Sequence, residues 1–544
     1  MYLEILQYFK EFITFTANNS QNIDMFKKLL AFFLFIFLIQ ITNAQNEFIT
    51  IWKPNTSTHN LMNPVMPSVA GDGQIWFPGI GENYKIVWEE VGFPSHTGTM
   101  NDVTSAERVL IDFGTPLNPN VTNATYRVKV SNGNGIFRQI KFGKNVISSS
   151  LITDVPVIST SGSTNKIVEI EQWGNIQWES MNNAFAQCMT IELTATDSPD
   201  LSNVEDASMM FNNAFNFKGA PSMANWDTSH IKNFKYMFGY LASPPISFTL
   251  NESFNAPIGS WDMSSAEDLS YMLMRRKVFN QNLNNWNVSK VTNMAYMLAE
   301  MEVYNQPMNN WNTSKVTNMT FMFHFNPVFN QPLDQWNTSN VTNMGHMFHG
   351  CDAFNQSINV WNTSKVTDMN TMFNEATSFN QSLQDWNIPA LVSANNMFLN
   401  SGINCENYSK ILYGWAHNPN TADNVFLQSL SPLVYSGAVT NERNTLIGKG
   451  WTINGDSAAE CSFLGTSEIK NTNETGIYPN PATNFIYVKN SDAKNYTIFD
   501  QSGRIVARGI LVNGEINIET LTAGNYVLQI NSRGKSQSFK FIKK

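Results

Sequence analysis

Three of the seven histidines lie close together, at His324, His346 and His349, and neutral imidazole is the commonest side-chain ligand for metals such as zinc. His324 and His349 hold equivalent positions in a sequence that repeats every 25 residues, which sets them one repeat, or about 5 Å, apart. A zinc site asks for three or four ligands at tetrahedral angles, and the carboxylate on hand is Asp352. The histidines are therefore expected to be solvated loop residues, with no metal. Glu89 and Glu90 are adjacent, so in a strand they point to opposite faces and cannot act together on one bond. Zinc-hydrolase helices, nucleophile elbows and phosphate-binding loops are absent from the sequence. No catalytic residue, metal or cofactor is expected, and the chain reads as a non-enzyme.

Cysteine offers the other reactive chemistry. Cys188 and Cys351 each follow the Phe of a repeat by three residues, and in that shared position they read as small buried side chains. Cys405 and Cys461 bracket the segment after the last repeat and are the candidate disulfide, which a secreted chain permits. Between them Tyr408, Ile411, Leu412 and Trp415 fall at i, i+3, i+4 and i+7, one face of a helix, so residues 401–462 are expected to cap the repeats.

The elements that hold these residues come from the repeat itself. Trp261, Trp286, Trp311, Trp336, Trp361 and Trp386 recur every 25 residues, the signature of a stacked solenoid. Phe329, Gln331 and Leu333 alternate as in a short strand. Val341, Met344, Met347 and Phe348 follow at i, i+3, i+6 and i+7, one face of a short helix or tight turn. The closing pair, as in Met347-Phe348, marks nine units over residues 172–400, spaced by 26, 27, 35 and then five times 25 residues. Asn280, Asn305, Asn330, Asn355 and Asn380 share one register and Gln281, Gln306, Gln331, Gln356 and Gln381 the next, an arrangement expected to form structural amide ladders. The long interval holds an insertion in which Pro244, Pro245, Ile246, Phe248 and Leu250 form a candidate binding loop, since insertions in such arrays map to one face.

On either side the pattern changes. Residues 45–171 carry alternating runs separated by Gly, Pro, Asn and Ser, as in a small β-sandwich. Residues 463–476 are polar and read as a linker, and residues 477–544 are again β-rich. Lys27 and Lys28 precede an apolar run that ends near Ala44, with signal-peptide cleavage expected before Gln45. Residues 25–44 thus form the signal and residues 1–24 read as a misplaced start. The net charge of −9 argues against a nucleic-acid partner. Residues 465–544 differ, with ten Lys or Arg against six Asp or Glu. The fold class expected is mainly β with short helices, a solenoid flanked by an amino-terminal and a carboxy-terminal β-sandwich.

The repeated phrase Phe-Asn-Gln-x-Leu-x-x-Trp-Asn-x-Ser-x-Val-Thr-x-Met-x-x-Met-Phe resembles the 25-residue repeat of BspA-like bacterial surface proteins, a divergent branch of the leucine-rich repeats. The resemblance implies a surface adhesin. The earlier units depart from it, with Phe215-Asn216-Phe217 and Asn255-Ala256-Pro257 in place of Phe-Asn-Gln, so no binding residues carry over. The tail resembles the type A sorting domain of the type IX secretion system. The matching residues are Tyr478-Pro479-Asn480-Pro481-Ala482, Asp500 with Gly503-Arg504, Leu521 with Gly524, Tyr526 and Leu528, and Lys540-Phe541-Ile542-Lys543-Lys544. That resemblance implies export by the type IX machinery of a Gram-negative bacterium, removal of the tail in the linker, and either attachment to surface lipopolysaccharide or release. The function expected is adhesin-like binding of an extracellular protein; the alternatives are a surface glycan-binding protein and a passive surface-layer spacer.

Overall fold

The computed structural model describes residues 46–55, 71–146, 157–240, 253–428, 430–461, 476–478, 481–489, 494–511, 514–532 and 535–544. The signal segment with Ala44 and Gln45, the insertion from Pro244 to Leu250, residues 463–475 of the expected linker, and Pro479 and Asn480 lie outside the described residues. The chain forms two compact units, one through Cys461 and one from Ser462. It is mainly β with few short helices, and its described sheets close into no barrel.

The first unit opens with strands β1 (Phe48–Trp52), β2 (Gln74–Phe77), β3 (Gly79–Glu90), β4 (Phe93–Ser105), β5 (Val109–Asp112), β6 (Tyr126–Ser131), β7 (Ile136–Ile140), β8 (Gly143–Val146), β9 (Val157–Thr160), β10 (Ile167–Gln172) and β11 (Glu192–Leu193). Seven of them make one sheet in the order β11-β10-β1-β6-β3-β4, with β7 also on β3. Alternation decides the faces. Tyr126, Val128 and Val130 of β6 are fully buried, while Arg127, pointing the other way, bridges Glu89 at 3.0 Å and Glu171 at 2.6 Å. The parallel pairing of β11 with β10 fastens this sheet to the start of the repeats.

In the repeats the second element, expected as a short helix or tight turn, is a series of turns, and the expected strand carries no ladder. Consecutive units meet through single parallel bridges at Asp206, Asn233, Asp268, Asn293, Asn318, Asn343, Asp368 and Ser393. The residue before each Met-Phe or Met-Leu pair is left-handed, as at Tyr271 (φ 61), Tyr296 (φ 56), Phe321 (φ 56) and His346 (φ 59). A second left-handed residue follows four positions later, as at Arg275 (φ 68), Glu300 (φ 58), Phe325 (φ 53) and Gly350 (φ 69). A helix requires negative φ throughout, so none forms. The hydrogen bonds explain the choice. The N–H groups of Phe321, Phe323 and Phe325 donate to Gly345, Met347 and His349 of the next unit at 2.9, 3.0 and 2.7 Å. Those of Met322 and His324, in between, close local turns on Met319 and Phe321. Each unit thereby satisfies its backbone through its neighbour, and Val341, Met344, Met347 and Phe348 are still fully buried.

The invariant side chains do the same work in the other half of the unit. From Trp261 to Trp386 each repeated indole N–H donates to a carbonyl of the preceding unit, as from Trp311 to Leu283 at 2.8 Å and from Trp336 to Met308 and Trp361 to Leu333 at 2.9 Å. Trp311 and Trp336 stack with centroids 6.0 Å apart. Asn305 Oδ1 accepts the Asn330 N–H at 3.0 Å and the Gln331 Nε2–H at 3.0 Å, and Asn330 Oδ1 serves Asn355 and Gln356 alike.

Two helices, α1 (Cys405–His417) and α2 (Thr440–Gly448), follow the array. Helix α1 continues its ladders. Asn404 N–H and Asn407 Nδ2–H donate to Asn380 Oδ1 at 3.0 and 2.9 Å, and Trp415 Nε1–H donates to Leu383 O at 3.1 Å. Tyr408, Ile411, Leu412 and Trp415 are fully buried. Four short strands complete this end, β12 (Phe426–Leu427), β13 (Val434–Ser436), β14 (Thr452–Ile453) and β15 (Ser457–Ala459). Cys405 is bonded to Cys461, with Cα atoms 6.4 Å apart.

The second unit holds β16 (Gly476–Tyr478), β17 (Phe485–Lys489), β18 (Asn495–Phe499), β19 (Ile505–Ile510), β20 (Glu515–Asn517), β21 (Gly524–Ser532) and β22 (Lys535–Lys543). They form a three-stranded sheet, β16-β17-β20, and a four-stranded one, β19-β18-β21-β22. Ile486 and Ile516 of the first share a core with Ile498, Leu528, Ile530 and Phe541 of the second.

Candidate binding face

The left-handed positions of successive units align side chains in columns. Along the first column Tyr236, Tyr271, Tyr296, Phe321 and His346 stack face to face, with successive centroids 4.1, 4.5, 4.3 and 4.0 Å apart. Each interior ring is covered on both faces by its neighbours, so Tyr271, Tyr296 and Phe321 present edges and not an open platform. Phe325 of the second column is 44% exposed, and its ring lies where a Cβ on Gly350 would come within 2.2 Å. Val278, Val303 and Val328, at one register of successive units, are 38, 42 and 40% exposed.

The three histidines meet at this face. The rings of His324 and His349 lie 4.7 Å apart, those of His346 and His349 5.8 Å, and Phe325 packs on His324 at 4.2 Å. Burial, with His349, His346 and Arg275 nearby, pushes His324 down to about 3. Burial beside His349 takes His346 down to about 4. His349 is also lowered by burial, against the opposing pull of Glu375, whose carboxylate stands 3.7 Å from Nε2. The patch is uncharged near neutrality. The expectation of solvated loop histidines is thus corrected, because the left-handed turns fold their rings against Phe321 and Phe325. Among the described residues no group of three or more His, Cys, Asp or Glu is placed to hold a metal ion.

The sorting-motif residues come together in the second unit. Asp500 accepts from the Ser502 and Arg504 N–H groups at 3.0 and 3.1 Å, and Gly503 (φ 79) closes that turn. Tyr526 O–H donates to Thr522 O at 2.7 Å. Gly524 pairs with Lys543, and Val527 with Lys540. Ala482, which follows Pro481, donates to Ile542 O at 2.8 Å and accepts from the Lys544 N–H at 2.9 Å, so the two ends of the motif meet. Asp500, Tyr526 and Lys540 line one depression of about 680 Å³.

Residues 179–310, 245–332 and 299–411 each match a family described as Mycoplasma protein of unknown function, DUF285. It is an uncharacterised surface repeat family, BspA-like. Residues 476–544 match the secretion system C-terminal sorting domain. That sorting domain supports export by the type IX secretion system and contact with its machinery. It implies a secreted or cell-surface protein of Bacteroidetes-type bacteria. No curated protein matches the chain. The aromatic column escaped the sequence reading, although Tyr271, Tyr296 and Phe321 stand in one register before the closing pair. A helical reading of that stretch leaves no place where they would stack.

Proposed function

We propose that this is an adhesin-like binding protein, displayed on the cell surface or released, whose repeats stack as a leucine-rich-repeat-type solenoid between two β-sandwiches. The observation that carries the reading is the contrast within each unit. Trp, Asn and Gln are consumed in bonds to neighbouring units, whereas Val278, Val303 and Val328 stand exposed at one register of successive units, and Phe325 is exposed in a column of its own. A row of apolar groups on an exported protein suits multivalent contact, weak per unit and summed over many copies on one cell. Entry to the periplasm would use residues 25–44, with cleavage before Gln45. The sorted passenger would then be held by lipopolysaccharide or set free. The insertion from Pro244 to Leu250 is a further contact candidate. No catalysis is part of this reading, and turnover that depended on one acidic pair would overturn it.

The test is saturable binding of the purified exported chain to immobilised extracellular proteins and to purified polysaccharides. A protein ligand lost in the triple variant Val278→Ser, Val303→Ser, Val328→Ser supports the adhesin reading. Absence of any saturable ligand leaves the spacer reading. A second reading, glycan binding, is favoured by a different column of the same array.

A further inference from the structure

We propose that the column Lys290, Lys315, Asn340 and Lys365 is a docking stripe for an acidic polysaccharide. The inference deepens the surface-binding reading and rests on it. All four residues follow the Ser of the repeated Trp-Asn-x-Ser phrase, and the three lysines are exposed. Most other cations of the array and its cap are neutralised. Lys232 meets Glu205 at 2.7 Å, Arg275 meets Glu300 at 3.0 Å, and Lys277 meets Glu302 and Lys410 meets Glu406 at 2.6 Å. Among the described residues no carboxylate pairs with Lys290, Lys315 or Lys365, and Lys365 Nζ donates instead to Asn340 Oδ1 at 2.6 Å.

The residue three positions before each member of the column is neutral, so no carboxylate stands beside these lysines within their own turn. Asn287, Asn312, Asn337 and Asn362 stand there, while the two preceding units carry Asp227 and Asp262 followed by His230 and Ser265. Both residue types make the same turn. Asp227 and Asp262 accept the Ser229 and Ser264 N–H groups at 3.1 and 2.8 Å, and Asn312 and Asn337 accept those of Ser314 and Ser339 at 3.2 and 3.0 Å. Turn geometry is therefore indifferent to Asp or Asn. What changes is a carboxylate, removed where lysine appears, within a chain of net charge −9.

Two residues beyond each member, Thr292, Thr317, Thr342 and Thr367 form a parallel exposed column. Their hydroxyls donate to the preceding unit at 3.1 to 3.2 Å, which leaves lone pairs for outside donors. Ammonium groups on three of four successive rungs about 4.8 Å apart, beside a hydroxyl acceptor on every rung, match a linear polymer that carries both carboxylates and hydroxyls. Nucleic acid fits less well, since three cations on an acidic protein are few for a phosphate backbone.

The experiment compares the purified exported chain with its Lys290→Gln, Lys315→Gln, Lys365→Gln triple variant on immobilised polygalacturonate, dextran and single-stranded DNA over a range of salt. Matching thermal unfolding of the two chains controls for folding. Expected is saturable, salt-sensitive binding to polygalacturonate and none to dextran. The Gln triple variant should bind about tenfold more weakly, while the corresponding Arg triple variant and Lys232→Gln keep binding. Equal binding by the Gln triple variant, equal binding to dextran, or preference for DNA overturns the stripe. Saturable binding to a protein ligand with none to polygalacturonate also overturns it and leaves the surface-binding reading standing; no saturable ligand of any kind sinks both.

Discussion

His324 carries the clearest consequence at the scale of a single residue. Its proton affinity is depressed from an ordinary value of 6.5 to about 3 by burial, with neighbouring imidazoles and Arg275 adding to the effect. On acidification the unfolded chain takes up this proton first, so stability falls as pH drops from about 6.5 towards 3. His346 acts in the same direction down to about 4. Replacing His324 with Phe removes one group that must charge. Denaturant titrations at a series of pH values should show a shallower loss of stability for His324→Phe between pH 6.5 and 3. Parallel curves for the two proteins would mean that the ring is solvated after all.

At the scale of the element, each repeat is held by side chains that replace a conventional strand ladder. Trp336 illustrates this, because it combines ring stacking on Trp311 with a 2.9 Å hydrogen bond to Met308 O. The two contributions separate by substitution. Trp336→Phe keeps much of the packing but leaves the carbonyl without its donor, at a cost of about 1–3 kcal/mol. Trp336→Ala also opens a cavity and should cost about 3–5 kcal/mol. Equilibrium unfolding in urea measures both: a Trp336→Phe variant as stable as the parent would show that the hydrogen bond contributes nothing, and equal losses for the two variants would show that the ring packing adds nothing beyond it. The cap belongs to the same scheme. Asn404, Asn407 and Trp415 occupy the bonding positions of a further unit, so the last repeat meets polar partners and not water. The bond from Cys405 to Cys461 then ties the start of α1 to the last residue of the unit.

For the whole molecule the division after Cys461 matters most, since the sorting domain lies in a unit of its own. Removal of residues 476–544 should leave the repeat unit folded yet confined to the periplasm. Mass spectrometry of the mature termini from cells and medium gives the complementary result: a start at Gln45 and an end near residues 465–476 are expected. A surface product that retains Lys544 would contradict the processing expectation, and export of the truncated chain would contradict sorting by the tail.

The repeat period, the buried positions and the tail motif were all readable from the order of residues alone. A period of 25 and an apolar spacing survive whatever backbone path joins them, and Val341, Met344, Met347 and Phe348 are buried as that spacing requires. The seam at Cys405 and Cys461 was also legible, because these two cysteines fall outside the repeat register. The backbone path itself was not legible. The spacing i, i+3, i+6, i+7 fits both helix and turns, and only stacking decided between them, by offering alternate N–H groups an acceptor on the next unit. That choice placed left-handed residues at Phe321 and Phe325, and through them the aromatic column and the half-buried histidines. The lysine stripe likewise depends on which charges meet across units, a property of neighbours in space that no single repeat contains.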